Sequence, residues 1–208
     1  MAEDLDVLTL AEAKEAVNLT GTIKGEAELI RWTTAVSLRL DELVGPVVRR
    51  SVTDELDGGD RQAYLSTYPV HEVASVTEYD RSGVDTALTQ ETNAAKPDDG
   101  WRLPRYSVNS TLYGNELQRR AAGHSTDFAE GEGNVVVTYT AGRFESTADV
   151  DQRFKEAAGL MLRSVWRSEQ ESTGQVGEFD VPMLSFPKVV VPKAVRDMFP
   201  GELQDHYL

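Results

Sequence analysis

Cysteine is absent from all 208 residues of the chain. Its absence excludes disulfides, thiol catalysis and every cysteine-bearing zinc or iron–sulfur site. Histidine is scarce: His71, His124 and His206 are far apart, and none belongs to a ligand motif. Basic residues are in deficit, with 21 lysines and arginines against 35 acids, a net charge of -14 and a pI near 4.6. A phosphate backbone is gripped by clustered Lys and Arg, so this balance argues against a conventional DNA or RNA binder. It leaves open a protein that DNA must pass without sticking. Apolar runs are short, and none approaches the roughly 18 to 20 residues that cross a bilayer. Residues 1–6 are acidic and lack the basic start and apolar core of a signal peptide. The expectation is synthesis and use in a reducing cytoplasm, which leaves open later carriage inside a particle.

What the chain does have is centred on Asn134 to Arg167. Val135, Val136, Val137, Thr138, Tyr139 and Thr140 form a β-branched and aromatic run that Ala141-Gly142 breaks. From Val150 the period changes, with Val150, Phe154, Ala157, Met161 and Val165 recurring three or four apart. A strand, a glycine turn and an amphipathic helix are predicted in that order.

Upstream, Thr9 with Glu12 three residues on spells a capping box, with Leu8 placed as a staple against Ala13, and predicts a short helix over Leu10 to Val17. A second helix is predicted from Glu26 to Val44, its inner face marked by Leu29, Thr33, Val36, Leu40 and Leu43; Gly45-Pro46 stops it. From Val47 the character changes. Strands are predicted over Val47 to Leu56, Ala63 to Thr67, Val70 to Tyr79 with a bulge, and Val84 to Thr89, joined by turns at 57–60 and 81–83. Gln90 to Gly100 reads as a surface loop, and Asn115 to Glu132 as a polar stretch closed by a turn. Trp101, Leu103, Tyr106, Val108, Leu112 and Tyr113 read as satellite core.

Beyond Arg167 the chain is expected to lose regular structure. Phe179 to Val191 is apolar, but Pro182, Pro187 and Pro192 rule out a long helix and sit badly in central strands. Such an extended arm needs a surface to cover its side chains, either its own core or a neighbour. A last short helix is predicted over Lys193 to Phe199.

The fold class expected is α+β: a mainly helical scaffold with a β-rich middle insertion and an extended C-terminal arm. In domain terms, residues 1–178 form one unit, with a helical core at 7–46 and 143–168 and a β- and loop-rich elaboration at 47–142. Residues 179–208 form the arm.

Signs of catalysis are weak. Asp98-Asp99, Asp41-Glu42 and Glu130/Glu132 are paired acids of the kind that can split pKa values for acid–base work, but such spacings arise readily among 35 acids, and solvated surface is the stronger reading. His124 beside Ser125 is not a triad. The glycines at 131, 133 and 142 do not spell a phosphate loop. Arg49-Arg50 and Arg119-Arg120 are basic islands for which ordinary salt bridging is the better reading. No catalytic residue, metal or cofactor is expected.

Taken in order, Leu8-Thr9-Leu10-Ala11-Glu12-Ala13-Lys14, the helix ending at Gly45-Pro46, Tyr68-Pro69-Val70 leading to Val73-Ala74-Ser75-Val76, and Val137-Thr138-Tyr139-Thr140-Ala141-Gly142 before a long helix resemble the head–tail connector (adaptor) proteins of tailed bacteriophages. The resemblance runs from about residue 7 to 170. It implies a ring, usually of twelve copies, in the virion neck, docked beneath the portal protein with a stopper or tail-completion protein below. DNA would cross the lumen without sequence-specific binding, and no membrane is involved. The family core is mainly helical, and the larger β-rich middle here departs from it. The resemblance places portal contacts in the C-terminal segment, at Phe179, Val181, Met183, Leu184, Phe186, Val189, Val191 and Phe199. Outer helix positions Arg39, Arg153, Glu156 and Arg163 are the candidates for subunit contact. A tail-completion or stopper protein bound lower in the neck is the alternative.

Overall fold

The computed structural model describes residues 5–19, 25–104, 106–108, 111–173 and 189–200. The chain forms two compact units, one of residues 1–48 with 144–208 and the other of residues 49–143.

The first unit is helical. Its helices are α1 (Leu10–Ala16), α2 (Glu26–Val44), α3 (Gln152–Thr173) and α4 (Lys193–Met198). Helix α1 begins with the expected capping box: the Thr9 hydroxyl accepts from the Glu12 amide, and the Thr9 amide donates to the Glu12 carboxylate at 2.8 Å. Helix α2 buries the five positions that its period marks. It ends at Gly45, whose φ of 77° is left-handed backbone that a side chain would strain, and the Asp41 carboxylate accepts the amide of Val47 beyond the turn at 2.8 Å. A single 3₁₀ turn, Thr147–Asp149, precedes α3. Val150, Phe154, Ala157, Met161 and Val165 are all buried along its inner side.

Three expectations change here. Helix α3 continues to Thr173, past the Arg167 limit that the polar composition of residues 168–173 suggested; Ser, Glu and Gln are compatible with helix once a buried face anchors it. Val47 and Val48 are core residues of the helical unit, Val48 bridging to Phe144, so the first strand starts only at Arg50. The C-terminal portion from Val189 to Phe199 belongs to this same core: Val191, Val195 and Phe199 are buried in it and Val189 packs against it.

The second unit is a β unit. Its strands are β1 (Arg50–Leu56), β2 (Gln62–Tyr64), β3 (Val70–Tyr79), β4 (Asp85–Gln90), β5 (Gly100–Arg102), β6 (Tyr106–Val108), β7 (Thr111–Tyr113), β8 (Glu116–Ala121), β9 (His124–Ser125) and β10 (Val135–Ala141). One mixed sheet runs β1-β10-β3-β4-β5-β8-β2 with β9 on β8, and β6 pairs β7 separately. In β10, Val135, Val137, Tyr139 and Ala141 face the core, the period-two alternation of a strand with one buried side. Strand β3 carries the expected irregularity. Val76 pairs with Val137 and Ser75 with Thr138, after which the register skips Ala74 to set Val73 against Tyr139. That extra residue explains why its hydrophobic alternation is broken.

The polar stretch Asn115 to Glu132 hides strands β8 and β9. Leu117 and Arg119 both point inward from β8. Arg119 is buried because Glu78 of β3 meets it with a two-pronged contact, Nη2 to Oε1 at 2.6 Å and Nε to Oε2 at 3.2 Å. Trp101, expected as core, is buried in this unit with Val76, Leu88, Leu117 and Tyr139.

Candidate functional site

A groove of about 430 Å³ lies between α1 and α3. Leu8, Ala16 and Gly159 give it small apolar ground, and Glu12, Glu15, Lys155, Glu156, Arg163 and Arg167 ring it with charge of both signs. Gly159 faces α1, where an added Cβ would make ordinary van der Waals contact, 3.7 Å from the Ala16 Cβ.

Glu12 holds the groove in shape. One carboxylate oxygen caps α1 and the other takes the Lys155 ammonium at 2.7 Å, tying α1 to α3 across 143 residues of sequence. Partial burial by itself would raise the Glu12 carboxyl, but the Lys155 ammonium and the Thr9 donors outweigh it and hold the carboxyl below its ordinary range. Lys14, from the other side of α1, reaches Glu26 of α2 at 2.6 Å. These pairs fix the walls and leave other groove charges available. Among the described residues Glu156 accepts from Gln152, at 2.9 Å. Arg163 uses its Nε on the Gly159 carbonyl at 3.2 Å. Among the described residues neither Arg163 nor Arg167 is paired with a carboxylate.

Of the four positions expected at subunit contacts, the structure brings Glu156 and Arg163 to this groove. Arg39 lies on α2 and pairs with Glu42 at 2.5 Å. Arg153 lies on α3 over Phe154 and Phe199, its guanidinium carbon 5.0 Å from each ring centroid. Of the segment expected to contact a portal, Phe179, Val181, Met183, Leu184 and Phe186 fall outside the described residues. Val191 and Phe199 are buried in the chain's own helical core, so no partner reaches them while that core is intact, and Val189 is half-buried against it.

Several of the acids and basic islands with catalytic or binding potential are engaged in holding the fold. Asp99 joins Glu78 on Arg119, at 2.8 Å. Glu91, buried, takes Arg120 at 3.0 Å and Lys96 at 2.8 Å; hydrogen bonds from Lys96 and then Arg120 hold its carboxyl below the ordinary range against its own burial. Glu130 pairs with Arg81. Arg49 donates to the Arg143 carbonyl at 3.4 Å. His124 is an exposed residue of β9. Among the described residues no group of three acids, histidines or cysteines could hold a metal ion, and no helix is long and apolar enough to cross a membrane.

The groove itself was not legible in sequence, because its two walls are far apart along the chain, Glu12 and Lys155 being separated by 143 positions. Leu38, an apolar residue off the inner period of α2 and outside this groove, is 52% exposed.

Comparison with solved structures supplies an architectural parallel. A chain from the neck of the empty gene transfer agent (GTA) particle, computed with C6 symmetry, superposes with a TM-score of 0.57 at 20% identity, over 85% of this chain and 83% of that one. The chain shares its fold with gene transfer agent neck chains. A chain of the native GTA virion gives 0.57 at 18% identity over 85% and 84%, and one from the native neck computed with C12 symmetry gives 0.53 at 17% over 83% and 81%. The larger of the two units here is barely half the chain, so coverage of this extent takes in parts of both. No family model and no curated protein matches the sequence.

Proposed function

We propose that this protein is a non-enzymatic structural component of the neck of a phage-like particle, a ring of about twelve copies that joins the portal to the tail or a stopper and leaves a channel for DNA. The observation that carries this reading is the shared fold, across 85% and 83% of the chain, with neck chains in particles computed with C6 and C12 symmetry respectively. The physical chemistry agrees with it. A ring repeats the net charge of -14 around its axis, and a negative lumen keeps a phosphate backbone mobile. Of the paired acids, Glu42, Asp99 and Glu130 serve as ion-pair partners within the fold. Subunit contacts fall on the outer helix surface, with Glu156 and Arg163 in the α1/α3 groove. Portal contact falls to residues 179–186, since Val191 and Phe199 are committed internally.

The test is assembly without the chain. Its loss leaves filled heads and separate tails, and electron microscopy of complete particles finds labelled chain in a ring against the portal. Joined particles formed in its absence overturn the reading. A ring that touches only tail components moves the chain to the tail-completion or stopper position.

A further inference from the structure

Arg163 and Arg167 stand one turn apart on α3, and like charges at that spacing work against a helix. Arg163 is half-buried, and its Nε is held by the Gly159 carbonyl, which fixes the guanidinium and leaves its Nη groups for another acceptor. Neither arginine is needed to cap α1. The last turn of that helix is closed by the chain's own amides, Asn18 donating to the Glu15 carbonyl at 3.1 Å and Leu19 to that of Lys14 at 2.8 Å, with Asn18 left-handed at φ 59°.

A pocket of about 190 Å³ shares both arginines with the α1/α3 groove. Ala16, Val17 and Trp166 supply its apolar lining, Asn18 and the two arginines its polar lining, and no described acid lines it. The volume is below that of a cofactor or nucleotide site and suits one or two side chains. The guanidinium forks select a carboxylate, and the apolar lining selects an apolar neighbour beside it. A DNA strand fits poorly, because its closely spaced phosphates would run on to Glu12, Glu15 and Glu156 of the adjoining groove.

We infer that this pocket, on each copy in the ring, receives an acidic segment of the next copy. This rests on the ring reading above and names the chemistry of its contact. Copies that each carry a net charge of -14 repel one another, so a stable contact has to set acid of one against base of the next. The acid-free pocket supplies the base. Pocket and acidic segment are different surfaces, the head-to-tail kind of contact that closes a ring.

The full chain has no cysteine, so Glu15→Cys at the edge of the groove accepts a single benzophenone maleimide. Irradiation of the labelled chain, concentrated or in assembled particles, is expected to give chain-to-chain adducts that mass spectrometry maps to a segment bearing Asp or Glu. Arg163→Gln/Arg167→Gln lowers their yield at least about tenfold, and Arg163→Lys/Arg167→Lys, which keeps the charge, retains more of it. Unchanged indole signals of Trp32 and Trp101 in NMR spectra show that these variants are folded. The peptide acetyl-Leu-Glu-Leu-amide competes and shifts the Trp166 indole signal; acetyl-Leu-Gln-Leu-amide does neither. Adducts that survive the glutamine substitutions, or that map to a segment without an acid, overturn this contact, and rings seen in particle necks then leave the ring reading standing. Adducts with a different neck protein alone, or displacement by duplex DNA and not by the acidic peptide, also overturn it. If no ring forms with purified chain or in particle necks, both fall.

Discussion

Phe199 packs on Phe154 with ring centroids 4.9 Å apart, joining α3 to a segment 45 residues further along the chain. Phe144 meets the same Phe154 ring edge-on at 5.5 Å, and Arg153 lies over both Phe154 and Phe199. Phe199→Ala would empty a fully buried aromatic site and is expected to cost about 3–5 kcal/mol. Denaturant unfolding followed by a probe in the helical unit measures it. A loss below about 1 kcal/mol would mean that the C-terminal portion contributes no core.

Arg119 and Glu78 are both buried, and their value lies in being kept together. Arg119→Met leaves the Glu78 carboxylate buried without its partner and is expected to destabilise the β unit by roughly 3–5 kcal/mol. The double replacement Arg119→Met/Glu78→Leu recovers most of that loss, since removing both charges also removes their desolvation cost. Equal stability of the single and double variants would refute the coupling. Asp99, more than half exposed, is a minor member, and Asp99→Asn costs less than about 1 kcal/mol.

Glu91 and Glu12 set the acid sensitivity of the two units. Each has a folded pKa lowered below the ordinary glutamate value of 4.5. Their contribution is therefore fully present above that value and is lost as pH falls through the lower folded value. The wild-type chain loses stability on acidification below about pH 4.5. Glu91→Gln flattens that slope for the β unit, and Glu12→Gln for the helical unit, each at the expense of stability at neutral pH. Stability curves parallel to wild type through this window would remove the assignment.

Thr9→Ala removes the hydroxyl that caps α1 and should cost about 1 kcal/mol. Thr9→Ser retains it. Because the same turn positions Glu12 toward Lys155, the alanine variant is also expected to weaken the groove wall, seen as faster amide exchange along α1. Unchanged exchange would confine the cap to a local role.

Gly58 sits where the turn after β1 meets the loop before β10; a Cβ there would lie 1.9 Å from the Ala129 carbonyl oxygen. Gly58→Ala must push those segments apart and break the Gly58 amide bonds to Gly131 and Asn134, so a loss of about 2 kcal/mol or more is expected. Gly83→Ala provides the control: nothing lies within 4 Å, and only the φ of 79° opposes it, a cost of roughly 1 kcal/mol.

The sequence by itself determined what depends on neighbours a few residues apart. The inner faces of α2 and α3 follow from residues recurring every three or four positions, the α1 start from Thr9 and Glu12, and the β10 strand from its β-branched run. Each is a local free-energy preference that the burial of one face reinforces. Tertiary structure decided what depends on register and topology. A polar run with two arginines became a strand between β5 and β2, where the Glu78 carboxylate from β3 meets Arg119 and makes burial of the guanidinium tolerable. The apolar residues divided into two cores, and Val191 and Phe199 were drawn into the helical one. The groove arose where α1 met α3, with Glu12 and Lys155 closing a contact that no local pattern encodes. Attraction between residues 143 positions apart acts only after the fold has brought them to 2.7 Å, so it leaves no periodic trace in the chain.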